Sequence, residues 1–145
     1  FSSDFIISYP GEEEEDFNNT VKLIEKIRFI NSYSFIFSPR PGTVAANFKL
    51  IDKKISMERL TKIQNKLSES QIDVHKSLKN KIVNVLVENF TDDKTKLFGR
   101  SEYMTSVIFN GKKEDLGKIV RVKIKQSNRQ TLFGDLVNNS DQMVA

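Results

Sequence analysis

Hydrophobic positions in the first 47 residues come in short unbroken runs. Asp4-Phe5-Ile6-Ile7-Ser8 is one run, halted by Tyr9-Pro10-Gly11; Tyr33 to Phe37 is a second, halted by Ser38-Pro39-Arg40-Pro41-Gly42-Thr43. Runs of this kind suit strands buried on both faces, as in a parallel sheet. Between them Phe17, Val21, Ile24 and Ile27 recur at helical spacing. They follow the acidic stretch Glu12 to Asp16, which complements the positive end of a helix dipole. Consecutive helical residues diverge by about 100°, so these acids are expected to form a solvated first turn and not a metal cluster. The pattern predicts a βαβ unit. Alone, such a unit leaves a sheet face bare and both edges unpaired, so residues 1–55 are expected to be the C-terminal part of a larger α/β domain.

Residues 56–79 read as one long connector helix, with Met57, Leu60, Ile63, Leu67, Val74 and Leu78 along a narrow stripe. A stripe so thin suits a helix lying across another surface rather than a core helix. Its single histidine, His75, is expected to be solvated. From residue 82 the period changes to two. Val83, Val85 and Val87 alternate with Asn84, Leu86 and Glu88; Tyr103, Thr105, Val107 and Phe109 with Met104, Ser106 and Ile108; Val120, Val122 and Ile124 with Arg121, Lys123 and Lys125. Leu97-Phe98-Gly99 and Thr131 to Val137 add two strands, with Gly99 and Gly134 at bulge or bend positions. Five short strands over residues 80–137 predict a small OB-like antiparallel barrel, so the fold class is α+β overall. Residues 138–145 are expected to be a disordered tail.

Composition narrows the chemistry. Hydrophobic residues make up 38% of the 145, and the six glycines still leave the apolar share below the roughly 45–50% of average soluble domains. No apolar run approaches the ~18 residues of a membrane span, and a soluble, cytoplasmic chain is expected. The chain has no cysteine, which excludes a disulfide scaffold, a thiolate nucleophile and a zinc ribbon; one histidine excludes a multi-histidine metal site. No catalytic set is complete and no metal ligand set is expected. The net charge of +4 is uneven: residues 1–47 carry −3, residues 48–81 carry +5 and residues 82–137 carry +3. A polyanion is therefore expected to dock on the last two thirds, although a lysine-rich surface can also be simple solvation.

The period of two places Arg121, Lys123 and Lys125 together on the outside of the barrel, about 7 Å apart along the strand, which is the scale of successive phosphates on a single strand. Arg100, Lys112, Lys113 and Arg129 extend this candidate track. Phe98, Tyr103 and Phe133 are candidate stacking platforms, or core. In α/β folds ligands gather at the carboxyl ends of parallel strands, so the loops at Tyr9-Pro10-Gly11-Glu12 and Ser38 to Thr43 are the other candidate site. There Arg40 offers a cation to a carboxylate or phosphate.

Ser3 to Phe17 resembles the D-x-I-x-G-F-P-G-E-T-E-E-D-F stretch of radical S-adenosylmethionine methylthiotransferases. Ser38-Pro39-Arg40-Pro41-Gly42-Thr43 with Ala45-Ala46 resembles the Y-S-P-R-P-G-T-x-A-A motif of the tRNA branch of that family. Glu58-Arg59-Leu60 resembles its connector helix. Val85-Leu86-Val87-Glu88, Gly99-Arg100-Ser101, Gly117 and Leu132 to Val137 resemble its C-terminal TRAM domain. The resemblance implies that the βαβ unit is part of a radical-SAM (β/α) partial barrel. The implied activity is 2-methylthiolation of isopentenylated adenosine beside the anticodon, using S-adenosylmethionine and 4Fe-4S clusters. It also implies that Ser8, Tyr9, Pro10, Gly11 and Ser38 face the cofactor and that Arg40 faces RNA. The family's cluster-binding cysteines are absent, Ser8 stands where the family has glycine, and Glu13 replaces a helix-capping threonine.

Two functions are open at this point. One is a C-terminal fragment of a tRNA methylthiotransferase that binds the tRNA anticodon stem-loop and contributes part of the cofactor pocket. It would be inactive alone, bind neither cofactor unaided, and be completed by a separate N-terminal half carrying the iron–sulfur cysteines. The other is a stand-alone OB-like module that binds RNA or protein without catalysis. Neither DNA nor a membrane is expected as a partner.

Overall fold

The computed structural model describes residues 1–137, so the tail expected at residues 138–145 lies outside the described residues. The chain divides into two compact units, Phe1–Gln71 and the residues from Ile72 onward.

In the first unit, β1 (Ser2–Ile7) and β2 (Asn31–Ile36) run parallel, with Ser2 opposite Asn31 and Ile7 opposite Ile36. They are joined through α1 (Glu14–Ile27). The βαβ unit is thus present. Its strands, however, are not buried on both faces. Phe5 and Ile7 pack with Phe17, Val21 and Ile24 of α1 and with Phe29, whereas Ile6, Tyr33 and Phe35 on the opposite face are exposed. Helix α1 starts without the family's threonine, because the Glu13 backbone N–H donates to Asp16 Oδ2 at 3.0 Å and one of the orphan donors is satisfied that way.

Helix α2 (Lys53–Ser77) begins earlier than the apolar stripe suggests. Asp52 Oδ1 accepts from the backbone N–H groups of Lys54 (2.8 Å) and Ile55 (3.3 Å), which caps the first turn. Its stripe also differs from the expected one. Met57 is exposed, and the buried positions of α2 within the first unit are Ser56, Arg59, Ile63, Leu67 and Ser70. Ile63 and Leu67 complete the core beneath the sheet, so this stretch is a core helix despite its thin apolar stripe. Ser70 is accommodated because its hydroxyl donates to the Phe29 carbonyl at 2.9 Å.

In the second unit, β3 (Ile82–Phe90), β4 (Leu97–Ser101), β5 (Ser106–Asn110), β6 (Ile119–Ser127) and β7 (Thr131–Leu136) close into a barrel in the order β3-β4-β5-β7-β6. Only the β5–β7 pair is parallel. Val83, Val85, Val87, Leu97, Val107, Phe109, Val122, Ile124 and Leu132 fill it, with Leu78 against them. Tyr103 and Met104 do not belong to the third strand as expected. Met104 has φ of 59° and its N–H donates to the Ser101 carbonyl at 2.8 Å, so both residues form a turn and the strand starts at Ser106. His75 is also a correction, being buried at 1% exposure. It lies in the last turn of α2, where its carbonyl accepts from the Leu78 N–H at 3.2 Å, and its Nδ1 is 3.1 Å from the Asn128 carbonyl. A carbonyl only accepts, so Nδ1 carries the proton.

Gly99 and Gly134 each stand opposite the residue that precedes a bulge in the neighbouring strand, Val87 on β3 and Ile124 on β6. A methyl group on Gly99 would strike the Leu86 carbonyl oxygen and Val85 Cγ1; one on Gly134 would strike the Lys123 carbonyl oxygen and Val122 Cγ1. The expected bulges therefore lie in the partner strands, and the glycines permit the close crossing they create. Gly99→Ala and Gly134→Ala are each expected to cost about 1–3 kcal/mol of barrel stability by overpacking, read from urea midpoints at an unchanged m-value.

Candidate functional site

In the first unit the parallel register brings both candidate loops to one end of the sheet. Ser8 follows β1 and Ser38 lies two residues beyond β2, while the Phe37 N–H donates to the Ile7 carbonyl at 2.9 Å. The Tyr9 and Phe37 rings meet edge to face with centroids 5.0 Å apart. Ser8 has φ of 57° and is buried, and its hydroxyl has no hydrogen-bond partner among the described residues. The left-handed conformation gives a physical reason for glycine here, since a side chain costs roughly 1–2 kcal/mol in that region. Pro10 is buried and Gly11 exposed. Arg40 is exposed, and its carbonyl accepts from the Thr43 hydroxyl at 2.8 Å.

The first of the acids is not solvated as the sequence pattern suggests. The Ser8 N–H donates to Glu12 Oε2 at 2.8 Å, and Glu12 Oε1 receives Arg59 Nη1 at 2.7 Å. Both side chains are largely buried, at 14% and 9% exposure. Arg59 Nη1 also donates to the Glu12 carbonyl at 3.3 Å, and its guanidinium lies 5.1 Å from the Phe17 ring centroid. A second contact, to Glu14 at 3.0 Å, involves an exposed carboxylate and adds little. Arg59 thus fastens the loop after β1 to α2. Reading the helix for apolar positions passes over it, although it lies on the same stripe as Ile63 and Leu67. A cation on a buried stripe was the available signal.

In the second unit the outward positions of β6 are Ile119, Arg121, Lys123 and Lys125, all exposed. Among the described residues Arg121 and Lys123 have no ion-pair partner, whereas Lys125 Nζ lies 3.7 Å from Asp135 and Arg100 Nε lies 3.3 Å from Glu88. The wider track divides. Lys112 and Lys113 follow β5 beside the end of β7, since Asn110 pairs with Asp135; Arg129 precedes β7 at the opposite end of the barrel. Phe98 and Phe133 are half-buried on the outside, in one lateral row with Ile108 between them, and Tyr103 stands apart in the turn after β4. Among the described residues no group of three or more His, Cys, Asp or Glu side chains is placed to hold a metal ion. No helix among them is long and apolar enough to cross a membrane.

Residues 76–137, which include this five-stranded barrel, match the TRAM domain family. The similarity extends over the whole chain, which matches the C-terminal part of tRNA methylthiotransferases. It is 63% identical over 145 residues, all of this chain and 32% of the relative, to the tRNA-2-methylthio-N(6)-dimethylallyladenosine synthase of Pelagibacter ubique (strain HTCC1062). It is 40% identical over 137 residues to the protein of that name from Ruthia magnifica subsp. Calyptogena magnifica, covering 94% of this chain and 31% of the relative. The corresponding protein of Vesicomyosocius okutanii subsp. Calyptogena okutanii (strain HA) is 44% identical over 137 residues, with 94% and 31% covered. The chain spans about a third of the length of the curated relatives it matches.

Removing one partner from the Glu12–Arg59 pair leaves a buried charge uncompensated. Arg59→Met is therefore expected to destabilise the first unit by about 3–5 kcal/mol and to speed hydrogen exchange at the Ser8 amide. Ser8→Gly should raise its stability by about 1 kcal/mol, because strain is relieved and no hydrogen bond of the hydroxyl is lost.

Proposed function

We propose that this chain supplies the tRNA-holding barrel, and part of the cofactor-facing α/β sheet, of a methylthiotransferase acting on N(6)-dimethylallyladenosine in tRNA. The observation that carries the reading is the pair of exposed β6 cations, Arg121 and Lys123, that form no ion pair among the described residues, within a match to the TRAM domain whose relatives are named for modifying tRNA. Two exposed cations on one strand that form no ion pair among the described residues can release counterions from a phosphate backbone; cations already paired with Glu88 or Asp135 must first give up that contact. Arg121 and Lys123 are therefore the principal phosphate contacts, with Lys125 and Arg100 secondary. Arg129 and the Lys112–Lys113 pair serve separate ends of the RNA. The anticodon stem-loop is the part of tRNA this surface is proposed to hold, and Arg40 is assigned to RNA from the first unit.

For S-adenosylmethionine, the residues proposed to face the group are Ser8, Tyr9, Pro10, Gly11 and Ser38. Two observations support the fit: both loops leave the same end of the sheet, and the buried Ser8 hydroxyl is without a partner among the described residues. When bound, the group would supply the methyl and radical chemistry of the family, and these residues would orient it. A 4Fe-4S cluster is a different case. It is held by cysteine thiolates, of which these 145 residues have none, so no step through a cluster is assigned to this chain.

Fluorescence anisotropy with tRNA tests the reading. Affinity is expected to fall steeply with salt, and Arg121→Gln with Lys123→Gln should lower the slope of log K against log salt by about 1.5. Lys125→Gln should change it less. Absence of tRNA binding even at low salt would overturn the proposal.

A further inference from the structure

The wall between β3 and β6 carries more than charge. Their antiparallel register sets three pairs of outward residues side by side: Leu86 opposite Ile119, Asn84 opposite Arg121, and Ile82 opposite Lys123. The inward residues between them, Val83, Val85 and Val122, are buried in the barrel. On a strand with a period of two, the outward positions of a charged surface are expected to be polar. Here Leu86 and Ile82 are 45% and 44% exposed and Ile119 is 72% exposed. Leu86 is also opposite Arg100 of β4, so the first row runs Arg100, Leu86, Ile119. Three acids adjoin this wall: Glu102, whose carboxylate accepts from the Asn84 N–H at 2.6 Å, Glu88, paired with Arg100, and Asp135, which stands opposite Lys123 in the register and lies 3.7 Å from Lys125 Nζ.

This juxtaposition discriminates between forms of RNA. A duplex presents phosphates and ribose on its outside and keeps its base faces stacked within. It can satisfy Arg121 and Lys123 but offers little apolar surface to Leu86 and Ile119. An unpaired strand presents phosphates along one side and free base faces along the other. Successive residue pairs on the wall are about 7 Å apart, so neighbouring nucleotides can meet a cation and an apolar pair in turn.

We infer that the β3–β6 wall is a contact site for unpaired nucleotides, with Leu86 and Ile119 covering base faces while Arg121 and Lys123 hold the adjoining phosphates. The inference rests on the RNA-binding reading above and deepens it: the barrel selects single-stranded over paired RNA. Charge complementarity favours an RNA strand over a protein partner on this wall, because Arg121 and Lys123, which form no ion pair among the described residues, share it with the exposed aliphatic residues Leu86, Ile119 and Ile82.

The test compares a single-stranded oligoribonucleotide with a blunt RNA duplex of the same length, titrated against the whole chain. The unaltered chain is expected to bind the single strand at least about fivefold more tightly. Leu86→Ser with Ile119→Ser should remove that preference and leave the salt slope unchanged, since no phosphate contact is lost. Arg121→Gln with Lys123→Gln should weaken both ligands and lower the slope. Ile119→Phe adds a stacking face and should increase the preference, which keeps the test available if the double serine variant unfolds. A single-strand preference that is absent, or unchanged in both Leu86/Ile119 variants, would overturn the inference; if RNA is still bound salt-dependently, the RNA-binding reading survives and the aliphatic pair is left to a protein partner. No binding of either RNA would overturn both.

Discussion

Barrel closure is the constraint on which the second unit depends. Each strand of a small sheet has two faces, and only one can be dry. By closing β6 onto β3, the chain turns the apolar faces of these five strands inward and leaves the barrel without an open edge. The alternation then has no freedom left: with Val122 and Ile124 inside, Arg121, Lys123 and Lys125 must be outside. The cationic surface is thus a consequence of packing the core. The tight crossings at Gly99 and Gly134, each facing a bulge across the ladder, are what allow five short strands to complete the circuit.

The first unit relies on a different device. Its two strands and one helix cannot enclose a core by themselves, and part of α2 completes it through Ile63 and Leu67. The same helix face carries Arg59, which neutralises Glu12 and so holds the loop that follows β1. A buried ion pair is a weak source of net stability, because desolvation offsets much of its attraction. Its effect here is geometric. Glu12 has one oxygen on Arg59 and the other on the Ser8 N–H, and the left-handed turn at Ser8 is fixed between them.

Much of this was legible from residue order. Period-two alternation located the barrel strands, and helical spacing behind an acidic stretch located α1. What escaped were polar residues whose burial depends on a distant partner. His75 reads as a surface histidine until Asn128 presents a carbonyl 3.1 Å from its ring. Glu12 reads as one of several solvated acids until Arg59 meets it from 47 positions along the chain. Tyr103 and Met104 continue an alternating pattern, yet the turn closed between Ser101 and Met104 takes them out of the strand. Of the candidate RNA contacts, the sequence gives their outward direction on β6. It does not show that Lys125 and Arg100 are already paired with acids on neighbouring strands, since that depends on register.

The most direct measurement is amide chemical-shift mapping of the chain titrated with an unmodified anticodon stem-loop RNA. The account predicts that the largest perturbations trace Asn84 to Leu86 on β3 and Ile119 to Lys123 on β6, fading toward β5. Perturbations centred instead on the Phe98–Ile108–Phe133 row, with β3 and β6 silent, would contradict it.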